Sequence, residues 1–135
     1  MKLTVRTLTE DDYSLLESWW KGWGWPVVGK NILPDEGTGG IMVENENKPL
    51  AAGFIYWSNS GLCWFDWVIS DPEGNKRIRP LAVKYLIQTA EQMVKDAGKS
   101  CIMSISRSTS LLKIHKKLGW HVDEKPSYEM IKKVN

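Results

Sequence analysis

The sequence predicts a single α/β (α+β) domain over all 135 residues. Three observations carry that prediction. Three short apolar runs separated by turn residues form a meander over 40–70. An amphipathic helix of about five turns follows from residue 76. A further apolar run at 100–106 then leads into a short helix that closes on Leu118-Gly119-Trp120. A composition of 42% hydrophobic and 25% charged residues is that of a globular core rather than of a disordered chain. No internal repeat, low-complexity tract or linker divides it.

Residues 2–6 alternate as a short strand. Thr9 then stands before Glu10, Asp11 and Asp12, an N-cap with acids in the first turn, where the helix dipole favours them. Tyr13, Leu16, Trp19, Trp20 and Trp23 follow at helical spacing, and Gly22, Gly24 and Pro26 end the helix near Lys21. Residues 27–40 read as a loop. Strands are expected at 40–44, 50–57 and 62–70, with turns at Glu46-Asn47-Lys48 and Asn59-Ser60-Gly61. In the third strand Trp64, Asp66, Val68 and Ser70 are expected on one face and Cys63, Phe65, Trp67 and Ile69 on the other. The long helix carries Ile78, Leu81, Ala82, Tyr85, Leu86 and Ala90 on its apolar stripe and is capped by Gly98. Pro80 is tolerated only in its first turn, which sets the start near Lys76 or Arg77. The short helix spans 111–118, and 120–123 and 128–134 read as two last strands, giving six to seven strands in all.

Charge and cysteine usage exclude several function classes. Lys plus Arg is 18 against 16 for Asp plus Glu, so the chain is no polybasic nucleic-acid binder. Cys63 and Cys101 lack metal-ligand spacing and are read as reduced core thiols; no metal site is expected. The first residues carry no apolar signal segment and no stretch is long enough to span a bilayer, so the chain reads as a cytoplasmic protein without a membrane partner.

Lys76, Arg77 and Arg79 crowd the start of the long helix, the wrong sign for its dipole. Free N–H groups and three cations make an anion site. The alternative is that Asp71 and Glu73 neutralise the cluster as exposed ion pairs.

The order of these parts resembles the GNAT superfamily of acyl-CoA-dependent N-acyltransferases along nearly the whole chain. The likeness is carried by Trp64–Pro72 leading into Lys76–Leu86, and by Ser108–Trp120. The second stretch is similar to the family pattern Asn-x-x-Ala-x-x-Leu-Tyr-Glu-Lys-Leu-Gly-Phe; its closing Lys-Leu-Gly-aromatic is intact, while Ser108 replaces the Asn and His115 the Tyr. The family's pyrophosphate loop, (Gln/Arg)-x-x-Gly-x-(Gly/Ala), corresponds here to Asn75-Lys76-Arg77-Ile78-Arg79-Pro80, without glycine. Phage-encoded members also lack these glycines and carry tryptophan-rich N-terminal helices, and the chain resembles them in both respects; for such a member the compartment is the host cytoplasm.

The resemblance implies a mixed, mostly antiparallel sheet flanked by helices and splayed between strands 62–70 and 100–106. It implies acetyl-CoA as acyl donor. Its pantetheine arm would pair with backbone near Val68, Ile69 and Ser70, its pyrophosphate would be held by Lys76, Arg77 and Arg79, and Ser108, at the motif's Asn position, would also bind the cofactor. His115, at the position of the family's acid tyrosine, is the candidate acid, since an imidazole titrates near neutrality; the competing reading is a surface histidine beside Lys116 and Lys117. Asp66 is the candidate base, against a strand carboxylate paired with a lysine or arginine. Of the eight tryptophans, Trp19, Trp20 and Trp23 are read mainly as core and rim. Trp25, Trp57 and Trp64 are the candidates for lining an acceptor cleft, where indoles favour a flat, apolar or cationic acceptor.

The function these readings imply is transfer of an acetyl group to a primary amine on a small molecule or protein. The departures from the family motifs leave a second hypothesis, a GNAT-fold module without cofactor binding that serves as a protein- or nucleic-acid-binding part. A tryptophan-lined carbohydrate or aromatic binder is the third.

Overall fold

A computed structural model describes residues 1–135. Five strands run in the order β1-β2-β3-β4-β5: β1 Leu3–Thr7, β2 Gly40–Asn45, β3 Lys48–Tyr56, β4 Leu62–Ser70 and β5 Cys101–Met103. The first four are antiparallel neighbours, and β5 joins β4 in parallel. The helices are α1 Tyr13–Gly22, α2 Arg79–Asp96 and α3 Thr109–Lys117. No helix is long and apolar enough to cross a membrane.

The sheet is buried on both faces, which is why its strands read as near-continuous apolar runs. On one face α2 brings Ala82, Leu86, Ile87 and Ala90 against Ile41, Val43, Ala51 and Ile55. On the other, α1 brings Leu16, Trp19 and Trp20 against Met42, Ala52 and Phe54. Alternation along β2 and β3 sorts these side chains to the two faces as a two-residue period requires.

In β4 the alternation breaks. Cys63 and Phe65 enter the α2 core, but Ile69 enters the α1 core and Val68 packs toward α2. Phe54 pairs with Asp66 and Ala52 with Ile69, so Trp67 and Val68 together oppose Gly53. Trp67 sits in the left-handed region at φ 57°, the signature of a bulge. The single-face assignment for Trp64, Asp66, Val68 and Ser70 is thereby corrected, because the extra residue flips everything after Trp67 to the other face.

Four other expectations change. The sheet has five strands and not six or seven, because 120–123 and 128–134 form no ladder. Tyr128, Met130, Ile131 and Val134 stay 80–92% exposed; β-propensity without a partner strand does not make a strand. The run at 100–106 is paired only over Cys101–Met103, and Cys101 is exposed while Cys63 is buried. Helix α2 starts at Arg79, since Asn75 holds a preceding turn: its carbonyl accepts from Ile78 N and Arg79 N, and its Oδ1 accepts from Arg77 N at 2.8 Å.

The entry to α1 is fixed by charge. Arg6 donates twice to Asp12, at 2.8 Å each, and pairs with Glu44 at 3.2 Å, while Thr9 N donates to Asp12 Oδ2 at 2.7 Å. The Arg6 hydrogen bonds hold the Asp12 carboxyl below the usual carboxylate range. Asp12→Ala is expected to cost about 1.5–3 kcal/mol in urea denaturation at pH 7. Because the folded-state pKa is the lower one, this stabilisation is present above about pH 4 and lost as pH falls through the folded value. A change within about 0.5 kcal/mol, ordinary for an exposed site, contradicts this account.

Candidate active site

Strands β4 and β5 stay paired only over Leu62↔Cys101, Cys63↔Ile102 and Trp64↔Met103, and then diverge. Asp66 occupies the apex of the wedge. Its Oδ1 accepts from Ile105 N at 2.9 Å and from Ser104 Oγ at 3.2 Å, taking a backbone donor that the ladder has released. The other oxygen, Oδ2, has no protein partner. Burial pushes the Asp66 carboxyl up, against the lowering effect of its two donors.

Beyond the apex the outer edge of β4 is left without a partner strand. Asp71 N bonds to Leu50 O on the β3 side, so the preceding Ser70 carbonyl points into the wedge, where it accepts from Trp23 Nε1 at 2.8 Å. By the two-residue period Val68 presents its backbone groups the same way. The wedge opens into a cleft of about 980 Å³. Trp20, Trp23, Trp25, Val27, Val28 and Ile32 line it from α1 and the loop that follows. Trp67, Val68 and Ser70 come from β4, and Ser104 to Ser108, Ser110, Leu111 and Ile114 from the β5–α3 side. Lys76 and Arg79 reach it from the β4–α2 connection, Arg107 from the β5–α3 connection, and Glu129 from the terminal segment. The carboxyl ends of two parallel strands, each followed by a helix whose first turn points inward, form the crevice typical of ligand sites in open sheets.

The sequence-predicted residues fall into two groups. Val68, Ser70, Lys76, Arg79, Ser108 and Trp25 line the cleft. Asp66 lies at its apex between lining residues. Arg77 is exposed beside it, and Ile69 is 1% exposed in the α1 core with its backbone turned to β3, opposite Ala52, so it offers the cleft neither side chain nor backbone. Trp57 and Trp64 do not line the cleft: Trp57 follows the far end of β3, and Trp64 is the last residue paired to β5, before the wedge opens. Neither is placed to touch an acceptor.

His115 is likewise displaced from its expected role. It is 4% exposed, turned against Trp120 at 4.6 Å between ring centroids, and its Nδ1 donates to Leu111 O at 2.8 Å. That tautomer leaves Nε2 as a buried acceptor without a partner, on the inner side of α3, while Leu111 and Ile114 form the cleft wall. The surface-histidine reading fails as well.

Arg79 is committed to its own loop. One guanidinium nitrogen, Nη2, donates to Asp71 O, Pro72 O and Gly74 O at 3.1–3.2 Å, and the group stacks on Trp23 at 5.0 Å, with Nε unpartnered. Neither Asp71 nor Glu73 pairs with Lys76, Arg77 or Arg79; Asp71 Oδ1 accepts instead from Glu73 N at 2.9 Å. The cations at the mouth therefore keep their charge unneutralised.

Sequence reasoning missed Trp67, Arg107 and Glu129. Trp67 reaches the cleft only through the bulge, and the other two belong to no motif.

No protein-family model and no curated protein sequence matches the chain. Solved structures do. The ribosomal-protein-S18-alanine N-acetyltransferase of Escherichia coli superposes with TM-score 0.70 at 12% identity, over 87% of this chain and 77% of that one. An acetyltransferase of Trypanosoma brucei gives 0.66 at 18%, over 96% and 100%. A Mycobacterium tuberculosis protein solved in complex with CoA gives 0.65 at 14%, over 93% and 76%. This is the GNAT fold. Within it, the wedge between β4 and β5 is the architectural feature that the sequence resemblance implied.

Proposed function

We propose that the protein is an N-acyltransferase that uses acetyl-CoA to acylate a primary amine. The observation that carries this reading is the wedge itself. It offers an unpaired strand edge, a carboxylate at the apex and cations at the mouth, all in one cleft.

The residues fit such a donor, with one departure. An extended amide arm finds the Val68 backbone groups and the Ser70 N–H much as an added strand does, the Ser70 carbonyl being held by Trp23. The phosphate end does not find a backbone cradle, because Arg79 N is bonded to Asn75 O and Pro80 has no N–H. Lys76, Arg77 and Arg107 would hold the phosphates by side chain, Lys76 as a point charge and the arginines by bidentate contact. Arg79 braces the loop through its three Nη2 hydrogen bonds. Acetyl-CoA would supply an acetyl group activated as a thioester, whose C–S bond is exchanged for the amide C–N bond, one amine proton going to Asp66 and the second to the departing thiolate to give the thiol.

Asp66 Oδ2 takes the proton that the incoming ammonium must lose. A carboxyl raised by burial is a better base than an exposed aspartate, and its oriented Oδ1 keeps Oδ2 in place. Leu111 and Ile114 exclude water from the α3 side. Ser108 Oγ caps α3 by accepting from Leu111 N at 3.3 Å, which fixes the wall and occupies that oxygen.

Calorimetric titration with acetyl-CoA tests the donor. The wild-type chain should bind, and Lys76→Ala with Arg107→Ala should weaken binding by at least about tenfold as charge-assisted contacts are lost. No heat at millimolar acetyl-CoA rules the reading out and returns the chain to a binding module.

A further inference from the structure

The cleft sorts its charges. Lys76, Arg79 and Arg107 come from the two connections that follow β4 and β5, whereas Glu129 comes from the terminal segment and lies close enough to Asp66 to repel its charge. The anionic end of the cleft is therefore the apex end, where Trp67 adjoins Asp66.

Two indole N–H groups of the aromatic lining, those of Trp23 and Trp67, are spent. Trp67 Nε1 donates to Tyr56 Oη at 2.7 Å, and that hydroxyl donates to Ile32 O at 2.8 Å. Trp23 Nε1 is taken by Ser70 O, and Trp25 stacks on Trp23 at 5.5 Å and 17°. Trp25 and Trp67 are still 46% and 39% exposed, so each offers a ligand ring surface. Three of the four serines opposite are also engaged: Ser104 Oγ with Asp66, Ser106 Oγ with Ser108 N, and Ser108 Oγ with Leu111 N. Against the ring faces a polyhydroxylated amine would lose water without gaining partners. A flat apolar body loses nothing, and an ammonium gains both a ring face and a carboxylate.

We propose, resting on the acyl-transfer reading of this cleft, that its acceptor is a primary ammonium carried on a flat apolar body, an arylalkylamine. The body lies against Trp25 and Trp67, and Glu129 faces the ammonium. The anionic donor and the cationic acceptor thus meet from ends of matching opposite charge, which orders the two substrates in one cleft.

Calorimetry on the full chain, with and without acetyl-CoA, tests this with 2-phenylethylamine beside spermidine and an aminoglycoside. The arylalkylamine should bind at least about tenfold more tightly than either, and Trp25→Ala and Glu129→Gln, both at exposed or partly exposed positions, should each lower its affinity about tenfold. Preference for spermidine or the aminoglycoside, unchanged affinity in both variants, or no heat from any amine overturns the assignment. Acetyl-CoA binding without phenylethylamine binding removes the acceptor class alone. Phenylethylamine binding without acetyl-CoA binding supports the amine site and removes the donor reading alone.

Discussion

Asp66→Asn should leave the fold intact and lower kcat by about 10²- to 10⁴-fold, the contribution of a positioned general base. The asparagine Oδ1 still accepts from Ile105 N and Ser104 Oγ, so the apex of the wedge keeps its staple. What disappears is the oxygen that takes the proton. The pH behaviour separates this from a structural role. Burial raises the Asp66 pKa in the folded chain, so the wild-type rate should fall as pH drops through a value above the ordinary carboxylate range. In the variant that limb should vanish. Stability runs the other way. A folded pKa above the unfolded one contributes stability that is complete below about pH 4 and lost as pH rises through the folded value. The variant should therefore equal or exceed the wild type in Tm at pH 7, with its relative gain growing from acid to neutral pH. A kcat within about twofold of wild type would show that Asp66 only braces the strands.

Phe65→Ala should destabilise the protein by about 3–5 kcal/mol, measured by urea denaturation, because the ring is wholly buried and its site cannot collapse. The ring fills the space that Gly53 leaves open: a Cβ built on Gly53 would meet the Phe65 ring at 2.3 Å. Gly53→Ala alone should thus cost about 1–3 kcal/mol by overpacking. In the Phe65→Ala background the same change should be neutral or stabilising, since the added methyl enters the cavity. The coupling follows from direct contact, and additive effects would disprove it. Gly53 also faces the bulge at Trp67 and Val68, so Phe65→Ala should weaken binding in the cleft together with stability. The left-handed Trp67 backbone costs on the order of 1–3 kcal/mol and persists only while its surroundings hold it.

Much of the frame was legible along the chain. The spacing of Ile78, Leu81, Ala82, Tyr85 and Leu86 marks α2, and the turns at 46–48 and 59–61 bound the meander, because local periodicity and turn chemistry suffice for these. The glycine-free run 75–80 marks a connection whose Lys76 and Arg79 line the cleft. What failed shares one cause. His115, Trp57 and Trp64 stand out in the sequence by motif position or residue type alone, and their surroundings depend on residues distant in sequence. Residues 128–134 have strand composition, but a strand exists only where a neighbour satisfies its ladder.

The eight tryptophans draw the same line. Composition announced an aromatic excess, and helical spacing put Trp19 and Trp20 into the α1 core, because both are local properties of the chain. The place of Trp67 was decided by a single extra residue in β4. The bulge at Trp67 reverses the faces after it and brings Trp67 to the cleft with Val68 and Ser70, beyond the apex that Asp66 closes. A bulge is a relation between two strands, set by the room over Gly53 and the ring of Phe65, and so only the tertiary structure contains it.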